Sequence, residues 1–106
     1  MNKYHNKKCT YKDMIFDSKK ERDYYIVLEM MLKNKQISDL RTQVKFELQP
    51  SFKFKGKTIR SINYIADFTY VKDGKLIIVD TKGYRTEVYK LKKKLMQYKG
   101  YDIKEI

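Results

Sequence analysis

Residues 62–82, INYIADFTYVKDGKLIIVDTK, constrain this chain more than any other stretch. Two runs rich in β-branched and aromatic residues, 62–71 and 75–82, flank Asp73-Gly74. Asp-Gly is a preferred loop for a two-residue β-hairpin, because both positions tolerate the left-handed backbone. With Asp73 and Gly74 in the loop, Lys72 pairs with Lys75, and the remaining pairs follow by counting outward. Asp67 then faces Asp80. Opposed residues share a sheet face, with Cβ atoms about 4.5–5.5 Å apart. Lys82, two residues past Asp80, points to the same face. Ile65, Thr69, Val71, Leu76 and Ile78 are expected beside these groups, and Phe68, Tyr70, Ile77 and Val79 on the opposite face. Two largely apolar faces place the hairpin centrally in a sheet.

Two opposed carboxylates on a partly buried face repel each other and lose hydration. A divalent cation such as Mg²⁺ would resolve the conflict, because hard cations take carboxylate oxygens. Lys82 could then stabilise a phosphate or polarise a water. The plainer alternative is a surface hairpin whose acids are solvated or paired with Lys82. Glu21 is a third acid of interest. It completes a capping box with Ser18 at the start of a helix over 18–33. It also lies on the stripe of Tyr24, Tyr25, Leu28 and Leu32, so it should face the sheet and approach the acid pair.

The rest of the chain supplies the other elements. Residues 1–16 read as a basic arm or a small hairpin turning near Lys12-Asp13. Val44, Phe46 and Leu48 alternate with Lys45 and Glu47, a half-buried strand over 43–49 that Pro50 ends. Phe52 and Phe54 alternate with Lys53 and Lys55 up to Gly56, as a strand extension or a short hairpin. Thr86 caps a helix to about Tyr98, with Val88, Leu91, Leu95 and Tyr98 as its buried stripe and Gly100 as its stop. Residues 101–106 can add a last short strand. The length of 106 residues suits one domain, 1–106, of α/β (α+β) class on a mixed sheet.

Charge narrows the partner. The chain carries 25 Lys+Arg against 13 Asp+Glu, a net charge of +12. Such a field favours a polyanion, most often nucleic acid. Lys90, Lys94 and Gln97 share a face of the second helix beside Lys93, and Tyr84 and Arg85 precede them; these are candidate phosphate contacts. Lys7 and Lys8, with Lys12, could form a DNA-embracing arm, and Lys53, Lys55 and Lys57 could line another edge of the path. The single cysteine, Cys9, rules out a disulfide scaffold or a Cys-rich zinc site. No apolar run approaches a membrane span, so a cytoplasmic protein with no membrane partner is expected.

Asp67, followed after a hairpin by Asp80-Thr81-Lys82, resembles the motif of the PD-(D/E)XK nuclease superfamily. Ala66 replaces the usual Pro, and the second acid is Asp rather than the commoner Glu. The strings FDSKKERDYY, YIADFTY and VDTKG are similar to a family of small phage and prophage proteins in that superfamily. Some of these are described as Holliday-junction resolvases. The resemblance spans Asn2 to Ile106. It implies a restriction-endonuclease-like αβββαβ core, a mixed central sheet flanked by helices, and Mg²⁺- or Mn²⁺-dependent phosphodiester hydrolysis. By the same resemblance Asp67, Asp80 and the Thr81 carbonyl would ligate metal and Lys82 would position or activate water. Glu21 would match the first-helix acid of many members, as a further catalytic residue and metal ligand.

The expectation is a metal-dependent DNA endonuclease acting on branched DNA in a phage's or prophage's bacterial host. It would work as a homodimer, because symmetric cutting of a junction needs two sites. The alternatives are a non-cleaving nucleic-acid-binding recombination module and a nickase of the same fold.

Overall fold

The computed structural model describes residues 7–82 and 86–106. Strands β1 (Cys9–Tyr11) and β2 (Met14–Phe16) form a small hairpin, with Lys12 at φ 55° in its turn. Helix α1 (Lys19–Lys33) follows, then β3 (Ser38–Gln49), the pair β4 (Phe52–Phe54) and β5 (Lys57–Ile59), β6 (Ile62–Lys72), β7 (Lys75–Asp80), α2 (Glu87–Tyr98) and β8 (Ile103–Glu105). The main sheet has the order β3-β6-β7-β8. Its first two pairings are antiparallel, and β8 joins β7 in parallel after the α2 crossover. The protein is thus a mixed α+β fold on a mixed sheet. Among the described residues, no helix is long and apolar enough to cross a membrane.

The hairpin register agrees with counting from the turn. Lys72 pairs with Lys75, and the ladder runs to Phe68 opposite Val79. Asp73 at φ 52° and Gly74 at φ 77° supply the two left-handed residues of the loop. The ladder stops at Phe68–Val79, one step short of the expected Asp67–Asp80 pair. The two acids are linked instead through the residues that follow β7: Thr81 and the Lys82 ammonium bond Asp67, and the Lys82 amide bonds Asp80.

Two clusters cover the two sheet faces. On the α1 side Phe16, Leu28 and Ile37 pack on Phe68, Tyr70 and Val79. On the α2 side Met96 packs on Tyr64, Ala66, Ile78 and Ile103. Strict alternation along β6 fails between these sets: Tyr64 and Ala66 serve one face, Phe68 and Tyr70 the other. The cause lies opposite Asp67. Gln43 stands there in β3, between the pairs Thr42–Phe68 and Val44–Ala66, with φ 52°. A left-handed residue breaks the pleat, and the period-two rule holds only along an unbroken pleat. Ile65, expected beside the acids, is accordingly half exposed.

Other expectations need correction. Strand β3 begins at Ser38, five residues earlier than the alternating run, and β7 ends at Asp80. In α1 the buried stripe ends on Met31, and Leu32 turns outward. In α2 the expected stripe faces largely away from the sheet: Val88, Leu91 and Tyr98 are 62%, 56% and 89% exposed. Tyr89, Met96 and the stem of Lys93 face inward instead. The Tyr89 hydroxyl and the Lys93 ammonium both reach Glu105 on β8, at 2.6 and 3.0 Å. Those two polar anchors set the helix rotation against its own apolar stripe, and lysine stems cover apolar surface well.

Candidate active site

Asp67 sits in the strand that runs through the middle of the protein and is 1% exposed. Its Oδ2 accepts from the Thr81 amide and the Thr81 hydroxyl, both at 2.8 Å. Its Oδ1 accepts from Lys82 Nζ at 2.9 Å. Asp80, 2% exposed, accepts from the Tyr64 hydroxyl at 2.8 Å and from the Lys82 amide at 2.9 Å. Both acids are buried and held by donors. This differs from the solvated alternative, while the pairing with Lys82 that it included is present.

Glu21 enters from the first turn of α1. Ser18 Oγ accepts from the Glu21 amide at 3.1 Å, which is half of a capping box. The reciprocal bond is shifted by one residue, because Glu21 Oε1 takes the amide of Asp17. Its Oε2 takes the Gln43 side-chain amide at 3.1 Å, so the left-handed kink of β3 also orients this acid. Burial pushes the Glu21 carboxyl above its ordinary value, and the charge of Asp67 adds to that. Burial opposes the charge of Lys82, but its hydrogen bond with Asp67 and the charges of Asp67, Asp80 and Glu21 win, and its pKa is raised. At neutral pH Lys82 is therefore an ammonium donor. Burial first, then the charge and hydrogen bond of Asp80, raise the Tyr64 hydroxyl, which stays neutral and donating.

The site opens to solvent on one side. The Lys82 side chain is 41% exposed. A cleft of about 360 Å³ runs past Asp80, Lys82, Tyr64 and Gln43 to Lys92 on α2. A second, of about 250 Å³, lies beside Glu21, Asp17 and β2. Asp17 and Gln43 line both.

Asp67, Asp80, Thr81 and Lys82 are thus joined by hydrogen bonds, Glu21 senses the charge of Asp67 from beside the second cleft, and the flanking basic residues are more dispersed. Lys92 borders the cleft. Lys90 is exposed and lies 3.6 Å from Glu87, while Lys93 is held by Glu105 at 3.0 Å. Lys94 and Gln97 are exposed on α2, and Lys7 and Lys8 are exposed ahead of β1. Tyr84 and Arg85 lie outside the described residues. Tyr64 and Gln43 were not singled out from the sequence. Alternation assigns Tyr64 to the wrong face, and nothing in the sequence marks Gln43 as left-handed.

The donors suit a hard cation in type, being carboxylate and main-chain oxygens. An ionised carboxylate offers about four lone-pair sites. The protein's own donors use three on Asp67 and two on Asp80, so both retain capacity. Among the described residues, no three acidic, His or Cys side chains are grouped to hold a metal ion. The arrangement offers two carboxylates, with Glu21 turned toward Asp17 and Gln43.

The raised Glu21 carboxyl makes a sign-definite prediction. A folded pKa above the unfolded one means stability is full below the ordinary value of 4.5 and is lost as pH rises through the folded value. Glu21→Gln keeps the shape without the charge. It should melt above wild type near pH 8, and the gap should close by about pH 4. A variant less stable than wild type near pH 8 would mean that the carboxylate's bonds to Asp17 and Gln43 outweigh its burial.

No curated protein and no solved structure matches the chain. A family model described as "Protein of unknown function (DUF1064)" matches residues 1–106, and the chain belongs to that family.

Proposed function

We propose that this protein is a metal-dependent DNA endonuclease acting on branched DNA. The observation that carries the reading is two buried carboxylates on adjacent central strands, Asp67 bonded by the half-exposed Lys82 ammonium and Asp80 by the Lys82 amide, in a chain of net charge +12. Burying two acids together is costly, and active sites are where such costs collect. The helix, three main strands, helix and strand around the sheet agree with the αβββαβ order that the PD-(D/E)XK resemblance implies.

Held by Asp67, Asp80 and the Thr81 carbonyl, Mg²⁺ or Mn²⁺ would polarise the scissile phosphate and offset its developing charge. Lys82, charged at neutral pH, donates to a phosphate oxygen or orients the attacking water. Its raised pKa disfavours a role as base. Glu21 would stand as the third acid behind the pair, held in place by the Asp17 amide and the Gln43 side chain. Tyr64 fixes Asp80 from behind. Lys92 offers a phosphate contact along the cleft. The exposed Val88, Leu91 and Tyr98 of α2 offer an apolar surface for the homodimer that symmetric cutting of a junction would require.

Thermal melts with and without millimolar Mn²⁺ test the metal site. A ligand that binds only the folded state raises its stability by mass action. Wild type should gain, and Asp80→Asn should lose most of the gain. An equal response in both proteins would place the metal elsewhere and remove the chemical basis of the reading.

A further inference from the structure

The β4–β5 pair is the tip of a longer arm. Gln49 pairs with Ile62 at the end of the main sheet, and Phe52 pairs with Ile59 beyond it in the same register. Only the segment around Pro50 interrupts the ladder, since proline has no amide to donate. Strand rise places the turn about 17 Å past Pro50. The radius of gyration, 15.9 Å, exceeds the roughly 13 Å of a compact chain this long, as an arm of this kind requires.

The tip is built unlike a part of the core. Lys55 and Gly56 form its two-residue turn at φ 50° and 77°, a conformation usually given to Asn or Gly. A cation therefore occupies the apex, and Lys55 Nζ lies 5.5 Å from the centre of the Phe54 ring. Phe52 and Phe54 share one strand face with Ile59 and Lys57. They are 44% and 58% exposed. Residues 51–60, SFKFKGKTIR, hold Lys53, Lys55, Lys57 and Arg60 and no acid.

We infer that this hairpin is a nucleic-acid finger that stacks Phe52 and Phe54 on unpaired bases while its cations hold the flanking phosphates. Charge selects the occupant. Four cations without an acid repel a second copy of the same tip and attract a polyanion. The aromatic spacing selects the form of that polyanion. Side chains two apart on a strand repeat at roughly 6.5–7 Å, about twice the 3.4 Å step of stacked bases. Rings at that spacing suit bases freed from the duplex, and aromatic platforms of this kind bind single strands with little sequence preference. The finger lies away from the carboxylate pair, so the inference does not depend on cleavage. With the proposed nuclease reading, it supplies the means of finding unpaired bases near a branch.

The test is binding in EDTA, where no metal-dependent cleavage interferes. Fluorescence anisotropy is followed with labelled single-stranded DNA, the matching duplex, and the duplex bearing a single-stranded flap. Phe52→Ala/Phe54→Ala should lose about thirty-fold or more in affinity for the single strand and the flap, and less than about two-fold for duplex. Lys53→Ala/Lys57→Ala should weaken all three and flatten the salt dependence by about 2 in log–log slope. The chain has no tryptophan, so Phe52→Trp gives a single emission reporter, which stacking should quench on addition of the single strand. Equal loss of affinity on all three DNAs in the phenylalanine variant, or unquenched emission at saturation, overturns the inference. So does a shift from dimer to monomer in sedimentation with single-strand affinity unchanged, which would make the tip a self-association surface. If these arms succeed and no metal supports cleavage, the nuclease reading fails alone. If they fail while the acids support cleavage, the finger fails alone.

Discussion

Asp67→Ala is expected to destabilise the metal-free protein by about 3–5 kcal/mol, a large share of the roughly 5–15 kcal/mol that holds a domain together. The size follows from what Asp67 satisfies. Three donors converge on it, two of them from Thr81, which is itself 4% exposed. Without the carboxylate, the Thr81 amide and hydroxyl are left buried and unpaired, which is the expensive way to break a hydrogen bond. Asp67→Asn should cost about 2 kcal/mol, because its amide nitrogen would meet the Lys82 ammonium donor to donor while Lys82 can still turn to solvent. Asp80→Asn should stay within about 1 kcal/mol of wild type. Its carbonyl can still accept from the Lys82 amide, its NH₂ can donate to a turned Tyr64 hydroxyl, and one of three neighbouring negative charges disappears. Urea unfolding of the three variants in EDTA checks the order. Equal, small losses at both positions would show that neither acid organises the fold. A large loss for Asp80→Asn would make that acid a structural partner too.

Lys82→Ala should lower cleavage by about 10²–10⁴-fold, the usual contribution of one positioned proton-handling or charge-stabilising group, and leave DNA binding within a few-fold. The contrast rests on geometry. Lys82 is the cation held against Asp67 at 2.9 Å with its other side open to the cleft, whereas it is only one of the 25 basic residues whose field would attract DNA. Folding should survive, because Asp67 keeps both Thr81 donors. Single-turnover cleavage and anisotropy titration on the same preparation separate the two effects. Near-wild-type turnover would remove Lys82 from the mechanism. A parallel collapse of binding would recast it as a phosphate anchor.

Much of this site was legible because a tight turn fixes a register. Asp73-Gly74 admits one loop, and counting outward gives the observed pairs from Lys72–Lys75 to Phe68–Val79, which carries Asp67 and Asp80 to the same end of the hairpin. The stripe of Glu21, Tyr24, Tyr25 and Leu28 was legible for the same kind of reason, since an unkinked helix keeps its period. Three features were hidden. Gln43 adopts a left-handed backbone that its residue type does not announce, and this kink puts Tyr64 on the Asp80 side against the alternation rule. In α2 the most apolar stripe faces outward, because Tyr89 and Lys93 are tied to Glu105 on β8. Those anchors join residues 12 to 16 apart, a range at which periodicity carries no information. Finally, the acids suggested mutual repulsion, whereas the folded chain gives each its own donors. The sequence contains Thr81 and Lys82 but not the direction in which a chain leaving β7 turns its amides.

The central claim is tested most directly by a cleavage panel. Purified protein is incubated with four-way junction, fork, duplex and single-stranded DNA, in EDTA, Mg²⁺ or Mn²⁺. The account predicts cutting of the branched substrates with Mg²⁺ or Mn²⁺, no cutting in EDTA, and loss of cutting in Asp80→Asn and Lys82→Ala. Tight binding to the same DNAs with no cleavage under either metal would contradict it and favour a non-cleaving recombination module.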